Sequence, residues 1–324
     1  MDYVKLGASN LRVSRISLGG LTFGDPKWRP YALGEAESRA IIRRALDHGI
    51  NLFDTSNYYS LGRSEEIVGG ALKDFVSRGE VILTTKVGNP LGKSPNDGGF
   101  SRKHLFSAVD DSLRRLKTDY IDIYQIHIWM PDINIEEMLI AFHDLVRSGR
   151  ILYVGATVMP AWQLVRCVLT AKRLNVAGFA TVQNHYNLVW REDERDLLPF
   201  CRHENIGLLS HSPHGRGLLC GNARRTGTTK TVRSDTDEYQ AYCYSRPEDY
   251  SLVDLVEDVA RKRGAKPAQV ALAWVLSKGI HSPLIGATRP EHIDDAVAAL
   301  SMTLDPEDVK RLEAAYLPHP SHHN

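Results

Sequence analysis

The residues Val81-Ile82-Leu83-Thr84-Thr85-Lys86 form a short, mostly apolar run that ends on a lysine. A second run of this kind, Ile121-Asp122-Ile123-Tyr124-Gln125-Ile126-His127, ends on a histidine. Between them, one face of a helical repeat carries the apolar side chains Leu105, Ala108, Val109, Leu113 and Leu116. Strands that are buried on both faces have continuous apolar runs, so this stretch predicts two parallel strands joined by a helix.

The same alternation occurs throughout the chain. Eight such runs are found, at residues 16–19, 51–54, 81–86, 121–127, 152–155, 180–183, 206–210 and 283–286. Each is followed by an amphipathic segment, and eight strand–helix units predict an α/β protein whose parallel strands close into a (β/α)8 TIM barrel. An open doubly wound sheet is the alternative architecture.

Some segments fall outside this repeat. Residues 3–15 predict a β-hairpin that closes the bottom of the barrel, and residues 212–250 predict a long loop after the seventh strand. An extra C-terminal helix is expected at 306–315, after helices at 252–263, 268–276 and 291–300. No stretch is rich enough in Pro, Gly and Ser to separate domains, so residues 1–324 are predicted to form a single domain.

The composition excludes several classes of protein. The 324 residues carry 40 Lys and Arg against 39 Asp and Glu, a net charge of +1 that argues against a nucleic-acid partner. No run approaches the roughly 20 apolar residues of a membrane helix, and the N-terminus lacks the pattern of a secretion signal. The four cysteines have no metal-ligand spacing, so we expect a cytoplasmic protein without a metal site.

Polar residues stand at the carboxyl ends of the predicted strands. Asp54, Lys86 and His127 end the second, third and fourth strands, and the active site of a parallel barrel lies at this end. A buried carboxylate and ammonium are costly unless they pair, so a structural salt bridge is one explanation. Three such residues on consecutive strands favour a catalytic cluster.

A proton donor is available in the loop that follows Asp54, where Tyr58 and Tyr59 are adjacent. A phenol has a pKa near 10, and a cation such as Lys86 within a few ångströms should lower it. Asp54 would hold the ammonium in place, and His127 would orient the oxygen that receives the proton. The spacing alone leaves the choice between the two tyrosines open.

At this point the sequence resembles the aldo-keto reductases. The matching segments are Asn51-Leu52-Phe53-Asp54-Thr55 through Tyr59, Gly62-Arg63-Ser64-Glu65-Glu66, Leu83-Thr84-Thr85-Lys86, Asp119-Tyr120-Ile121-Asp122, Gln125-Ile126-His127 and Gln183-Asn184-His185-Tyr186-Asn187-Leu188. The similarity runs from about residue 3 to residue 320 and is greatest to the microbial branch of aryl-alcohol dehydrogenase-like and sugar-carbonyl reductases, which residues 191–195 and 316–320 support.

The resemblance implies a barrel enzyme that reduces an aldehyde or ketone, or a C=N bond, with a nicotinamide cofactor. It implies Asp54, Tyr59, Lys86 and His127 as the catalytic residues, because the family's acid lies five residues after the aspartate. It implies NADPH, with NADH as the alternative, and the absence of a Gly-x-Gly-x-x-Gly motif agrees with cofactor binding outside a Rossmann fold. The implied cofactor residues are Gly20, Leu21, Asp54, Thr157, Gln183, His211, Ser212, Pro213, His214, Gly215, Arg216, Gly286, Thr288, Arg289, His292 and Asp295.

Within this set the resemblance assigns separate tasks. Gln183 should hold the nicotinamide carboxamide, residues 212–215 the pyrophosphate, and Arg289, near a helix N-terminus, the adenosine 2′-phosphate. A solvated surface charge is the alternative role of Arg289. In the segment 222–244, Arg224, Arg225, Lys230 and Arg233 are expected to clamp the cofactor phosphates or to be solvated.

The sequence departs from the family pattern at four places. Thr157-Val158 replaces Ser-Asn at the carboxamide site, His211 replaces the aromatic residue that stacks on the nicotinamide, and Ala296 replaces an Asn at the adenine end. The usual Ser-Pro-Leu-Ala-Arg-Gly is Ser-Pro-His-Gly-Arg-Gly at 212–217. These changes suggest altered cofactor affinity and an unusual substrate, such as a specialised metabolite.

Aromatic residues in the predicted mouth loops indicate the substrate. Phe23, Trp28, Tyr58 and Trp129 suggest a small aromatic, moderately apolar or sugar-like carbonyl compound. Trp162 and Trp274 fall within predicted helices and are expected in the core.

Two other functions remain open on the sequence, which carries no signal for an oligomeric state. One is a slow-turnover, redox-sensing nicotinamide-binding subunit, like the barrel subunits of potassium channels. The other is an aldolase-type barrel in which Lys86 forms a Schiff base with the substrate.

Overall fold

Eight parallel strands close into a barrel, as the eight apolar runs predict. The computed structural model describes residues 1–221 and 231–319. In the barrel the neighbouring strands are β10-β3-β4-β5-β6-β7-β8-β9, and β1 pairs with β2 outside it. The strands are β1 (Tyr3–Lys5), β2 (Arg12–Ser14), β3 (Ser17–Gly19), β4 (Leu52–Asp54), β5 (Ile82–Val87), β6 (Ile121–Ile126), β7 (Ile151–Thr157), β8 (Phe179–His185), β9 (Gly207–His211) and β10 (Ser282–Ile285).

Helices surround the barrel, and the longer ones that follow strands bury one apolar face. They are α1 (Glu35–Asp47), α2 (Arg63–Phe75), α3 (Arg102–Leu116), α4 (Ile135–Arg147), α5 (Ala161–Leu174), α6 (Leu197–His203), α7 (Val232–Thr236), α8 (Glu238–Cys243), α9 (Pro247–Arg263), α10 (Pro267–Ser277), α11 (Glu291–Ala298) and α12 (Pro306–Ala314). Ser101 caps α3 by accepting a hydrogen bond from the backbone N–H of His104. The extra C-terminal helix is confirmed as α12, and α9 begins five residues earlier than expected, with Pro247 in its first turn.

The N-terminal hairpin closes the bottom of the barrel, as predicted. β1 and β2 pair antiparallel, with Tyr3 opposite Ser14. Fully buried Leu6 and Val13 pack against side chains from the lower part of the barrel, namely Leu52, Ile82, Ile123, Leu209 and Leu284. Burial of this apolar layer excludes water from that end and leaves the opposite end for polar groups.

Above the apolar layer, the interior of the barrel is polar. Thr84, Gln125, Thr181 and Gln183 are buried side chains on three of the strands. The register places Lys86 beside Gln125 and Gln125 beside Gly155, so these positions lie at one level of the barrel. Buried polar groups need partners, and the hydrogen bonds of Thr84, Gln125 and Gln183 build the site described below.

The long segment after β9 is confirmed, but its described part is not all loop. Residues 215–220 form 3-10 turns, and α7 and α8 follow after residue 230. The Thr231 side chain accepts from Ser234 N–H and the Asp237 side chain from Gln240 N–H, and these caps stabilise helices too short to show apolar periodicity.

Candidate active site

The Asp54 carboxylate and the Lys86 ammonium form a buried ion pair between neighbouring strands. Asp54 ends β4 and is 2% exposed, and Lys86, near the end of β5, is fully buried. Nζ of Lys86 donates to Oδ2 of Asp54 and to the carbonyl oxygen of Thr55 at 2.8 Å. Burial has the largest single effect and would lower the pKa of Lys86, but the charges and hydrogen bonds of Asp54 and Tyr59 together outweigh it and hold that pKa above the usual value. Lys86 therefore remains a cation.

Tyr59, rather than Tyr58, is the tyrosine that the structure places at Lys86. Nζ of Lys86 lies 3.4 Å from the phenol oxygen of Tyr59. Burial raises the pKa of Tyr59, and the opposing effect of Lys86 is smaller. The expected lowering of this pKa is therefore wrong, because the sequence identified the cation but not the extent of burial. The phenol keeps its proton at neutral pH.

The turn after Tyr59 adopts an unusual backbone conformation. Ser60 and Leu61 have φ angles of 52° and 53°, in the left-handed region, and Gly62 follows at 94°. Ser60 Oγ accepts a hydrogen bond from Asp25 N–H at 2.8 Å, whereas the Leu61 side chain is exposed. Such conformations cost free energy in non-glycine residues, so surrounding contacts hold this turn in place.

Glu65 and Ser64 anchor the end of this loop where α2 begins. The buried Glu65 carboxylate accepts from Thr85 Oγ1 and from Arg115 Nε, each at 2.6 Å. Ser64 Oγ donates to the carbonyl oxygen of Gly20 at 2.7 Å. The loop that carries Tyr59 is thus tied to β5, to α3 and to the loop after β3.

His127 follows β6 and presents its imidazole beside both tyrosines. Its ring meets the Tyr59 ring edge to face, with centroids 5.5 Å apart, and the Tyr58 ring at 6.2 Å. Nδ1 lies 2.9 Å from Ser56 Oγ, which also accepts from the N–H of Tyr58. We infer that Ser56 donates to Nδ1, which leaves the imidazole proton on Nε2. Burial, then Lys86 and His211, hold the pKa of His127 well below its usual value, so the ring is neutral.

Three neutral donors hold the other oxygen of Asp54. Oδ1 accepts from Thr84 Oγ1 at 2.5 Å, from Gln183 Nε2 at 2.9 Å and from Gln125 Nε2 at 3.0 Å. Gln183 was assigned to the carboxamide site, and its Nε2 is directed to Asp54. Sequence reasoning missed Thr84 and Gln125 as site residues, although each lies two positions before a predicted catalytic residue and so on the same face of its strand.

Thr157, which ends β7, and Val158, which follows it, are held by different contacts. Thr157 is buried, and its Oγ1 donates to Oε1 of Gln125 at 3.4 Å. Val158 has a φ of 49°, a conformation that is unfavourable for a β-branched residue. Its N–H donates to the carbonyl oxygen of Gln183 at 3.2 Å, which fixes the chain at this point.

His211, at the end of β9, stands in a stack of rings. It lies face to face with His185 at 5.0 Å, and His185 stacks on Trp190 at 4.9 Å. Nε2 of His211 is buried without a hydrogen-bond partner among the described residues. Burial, with Arg216 and Lys86 nearby, lowers the pKa of His211 to about 3, so the imidazole is neutral.

The loop after β9 runs from Ser212 to Gly217 with four left-handed residues, Ser212, Gly215, Arg216 and Gly217. The buried Arg216 guanidinium donates through Nε to Asp237 Oδ2 at 2.7 Å, and Arg233 donates to the same oxygen at 3.0 Å. Pro213 is buried, and burial lowers the pKa of the adjacent His214 to about 4. Of the predicted clamp, Arg224, Arg225 and Lys230 lie outside the described residues.

The residues predicted for the adenosine end follow β10. Thr288 and Arg289 are exposed just before α11, and Arg289 Nε lies 3.0 Å from Nε2 of His292. Gly286 is exposed as well, whereas Asp295 accepts a hydrogen bond from Lys266 at 2.6 Å. Ala296 is buried, so an apolar residue packs into the core where the family pattern has an Asn.

At the rim of the barrel, aromatic residues form two edge-to-face pairs. Trp28 contacts Tyr58 at 6.0 Å between ring centroids, and Trp129 contacts Trp162 at 6.5 Å. The expectation that Trp162 lies in the core is wrong, since it is 57% exposed in the first turn of α5. Phe23, which was predicted for the mouth, is only 1% exposed and packs with the apolar core. Trp274 is in the core, as predicted.

In the part of the chain that the structure describes, no cluster of three or more His, Cys, Asp or Glu side chains could hold a metal ion. None of the helices within residues 1–221 and 231–319 is long and apolar enough to span a membrane.

Comparison with known proteins identifies the family. The model of the Aldo/keto reductase family matches residues 15–317. Versiconal hemiacetal acetate reductase of Aspergillus parasiticus is 38% identical, over 99% of this chain and 99% of the relative. Aldo-keto reductase dtxS3 of Metarhizium robertsii is 35% identical over 98% of this chain and 92% of the relative. A Schizosaccharomyces pombe protein named as a putative aryl-alcohol dehydrogenase is 36% identical over 98% of this chain and 96% of the relative. The chain therefore belongs to the aldo/keto reductase family, in its aryl-alcohol dehydrogenase-like branch, and is an oxidoreductase that acts on the carbonyl group of a small molecule.

Proposed function

We propose that this protein is an NADPH-dependent carbonyl reductase in which Asp54, Tyr59, Lys86 and His127 perform catalysis. One observation carries the proposal: a fully buried ammonium, Lys86, contacts both the Asp54 carboxylate and the Tyr59 phenol at the carboxyl end of the strands. A purely structural ion pair would not require a phenol as a third partner beside a neutral imidazole. We take residues 1–324 to act as one domain, and the four free thiols suit the cytoplasm.

Tyr59 acts as the general acid. Its raised pKa keeps the proton on the phenol until the carbonyl oxygen becomes basic. Lys86 then stabilises the phenolate that forms 3.4 Å from its ammonium. Because its Nδ1 faces Ser56, His127 donates through Nε2 to the same substrate oxygen and so orients the carbonyl group. A reduced nicotinamide, when bound, supplies the hydride that reaches the carbonyl carbon, so C=O becomes CH–OH.

The residues around the mouth fit this cofactor. His211 Nε2, buried without a partner among the described residues, is a polar atom that a ligand can satisfy, and Lys86 is near enough to contribute to the lowered pKa of His211. The side chain of Gln183 would take the carboxamide. Arg289, exposed before the N-terminus of α11, would receive the 2′-phosphate, which favours NADPH over NADH. The other residues inferred from the resemblance would line the remaining length of the cofactor.

The aromatic rim supports a ring-containing substrate. Tyr58 contacts both Trp28 and His127, and Trp129, two residues after His127 in the sequence, pairs with Trp162. Aromatic surfaces of this kind bind flat, apolar groups. One relative is named for the reduction of a hemiacetal acetate, and a hemiacetal is the closed form of a carbonyl group. An aromatic aldehyde or a specialised metabolite is therefore the substrate class we propose.

Oxidation of NADPH and NADH, followed at 340 nm across aromatic aldehydes, ketones and keto-sugars, tests the proposal, with cofactor affinity measured by fluorescence. Turnover with NADPH on the aromatic aldehydes is expected. Tight cofactor binding without turnover on any compound would favour the redox-sensing subunit instead. Trapping of a substrate on Lys86 by borohydride would favour the aldolase, which the protonated state of Lys86 opposes.

A further inference from the structure

The side chain of Gln125 connects two parts of the site. It is fully buried on β6, and its Nε2 lies 3.0 Å from Oδ1 of Asp54 and 3.1 Å from Oγ1 of Thr84. Its Oε1 accepts from Thr157 Oγ1 at 3.4 Å. Because a carboxylate only accepts hydrogen bonds, the amide nitrogen must point to Asp54, which leaves Oε1 to accept from the Thr157 hydroxyl.

The neighbouring strand leaves room for this side chain. Gly155 on β7 is the register partner of Gln125. A Cβ atom at position 155 would lie 2.8 Å from Cγ of Gln125 and 2.6 Å from Oγ1 of Thr181. Such distances are too short for real side chains, so a glycine at 155 is what allows Gln125 to reach across the barrel.

The orientation of the Asp54 carboxylate decides where Lys86 points. Oδ2 of Asp54 holds the ammonium, and the donors on Oδ1 stop the carboxylate from rotating. The same ammonium contacts the Tyr59 phenol. A rotation of the Asp54 carboxylate would therefore move the ammonium and change its distance from the proton donor.

We propose that Gln125 is a positioning residue for proton transfer: by fixing the Asp54 carboxylate, it sets the distance between Lys86 and Tyr59. This rests on the proposed role of Tyr59 as the acid. Gln125 touches neither the phenol nor the reacting atoms, and acts through Asp54 and Lys86.

The test compares Gln125→Leu and Gln125→Glu with a matched control, Thr181→Val. Thr181 is fully buried in the same polar layer, but its hydroxyl has no hydrogen-bond partner in the described chain. The titration of Tyr59 is followed by NMR of protein with 13C-labelled tyrosine rings, with Tyr59→Phe to assign the signal. NADPH affinity, kcat and thermal stability are measured on the same samples.

Gln125→Leu removes one charge-assisted donor, and we expect kcat to fall about tenfold with NADPH affinity within about twofold of wild type. The pKa of Tyr59 should rise, because Lys86 is held less firmly beside the phenol. Thr181→Val should leave both kcat and the pKa of Tyr59 unchanged. If Gln125→Leu lowers thermal stability but leaves the Tyr59 titration and kcat as in wild type, Gln125 is a packing residue and the proposal is wrong.

Gln125→Glu keeps the shape of the side chain and makes its donor depend on pH. At low pH its protonated carboxyl donates to Asp54, and at high pH a second carboxylate faces the first. The ratio of its kcat to that of wild type should therefore fall as the pH rises, and a constant ratio would contradict the proposal. The NMR titration needs no turnover, so it still tests the role of Gln125 if the carbonyl-reductase assignment itself fails.

Discussion

The ammonium nitrogen of Lys86 lies 3.4 Å from the phenol oxygen of Tyr59, and other residues fix the position of each group. Asp54 fixes the ammonium, and the turn at residues 60–62 with the Glu65 anchor fixes the loop of the phenol. Burial keeps Tyr59 protonated, while the cation stands where the negative charge appears on proton transfer. The pair therefore combines a stable proton with a stabilised conjugate base.

Replacement of Tyr59 by Phe should nearly abolish turnover. It removes the acid but keeps the ring and its edge contact with His127. We expect kcat to fall by roughly 10²–10⁴-fold, with the Kd for NADPH within about twofold of wild type. Tyr58→Phe is the matched control, because Tyr58 contacts Trp28 and His127 but belongs to the rim. Turnover at the wild-type rate in Tyr59→Phe would refute the assignment.

His211 should make the folded state sensitive to acid. The pKa of His211 is lowered to about 3, chiefly by burial and then by Arg216 and Lys86. The unfolded chain binds a proton on this ring below about pH 6.5, and the folded protein does not until about pH 3, so stability falls with the pH between these values. This group accounts for up to about 1.4 kcal/mol per pH unit.

In His211→Phe the loss of stability on lowering the pH should be smaller than in wild type. Between pH 7.5 and 5.5 the free energy of unfolding, measured with urea, should fall by about 1 kcal/mol less than in wild type. His203→Gln is the control, since His203 is exposed and should leave the pH dependence unchanged. Equal slopes for wild type and His211→Phe would contradict this prediction. The phenyl ring should also bind the nicotinamide more tightly, because it stacks better than imidazole.

The polar residues at the strand ends could be predicted from the sequence, but the hydrogen bonds that join them could not. Asp54, Lys86 and His127 are recognisable because each closes an apolar run, and the parallel topology then brings them together. Gln125 stands inside such a run and looks like part of a buried strand, because its partner Asp54 is 71 positions away in sequence. The direction of the pKa shift of Tyr59 could not be predicted for a similar reason. The sequence identifies Lys86 as a neighbour of Tyr59 but does not give the burial that raises this pKa.

Helix periodicity also misplaced one aromatic residue. Trp162 lies in the first turn of α5, where the helix emerges at the mouth, and a side chain there can face the rim instead of the strands. The Asn expected at position 158 from the family pattern would suit a φ of 49°, whereas the Val in this chain gave no sign of a left-handed residue.

Val158→Asn should stabilise the protein. A β-branched residue at φ 49° is strained, and Asn tolerates this region well. We expect a gain of about 1 kcal/mol, seen as a rise in Tm of roughly 2 °C. Val158→Ala separates the effect of β-branching from that of the left-handed conformation, because it removes the first but keeps the second. Its gain in stability should be smaller than that of Val158→Asn. An Asn variant less stable than wild type would show that the surroundings fully compensate for the strain at Val158.

Trp162 should determine how well extended substrates bind. It is 57% exposed, contacts Trp129, and stands at the mouth end of α5. Leu169 on the same helix is 58% exposed but seven positions further along, about 10 Å from Trp162 along the helix axis. The two residues therefore expose similar apolar side chains at different distances from the site.

Trp162→Ala should raise KM for a two-ring aldehyde such as 2-naphthaldehyde by roughly three- to tenfold, because a flat group that extends past His127 loses its contact with the indole. KM for benzaldehyde, which is too short to reach the rim, should change by less than about twofold, and kcat should stay constant for both. Leu169→Ala should leave all four constants unchanged. If Trp162→Ala affects both aldehydes equally, or if Leu169→Ala has the same effect, the indole does not line the substrate site, and specificity for ring-containing carbonyls must come from the other aromatic pair, Tyr58 and Trp28.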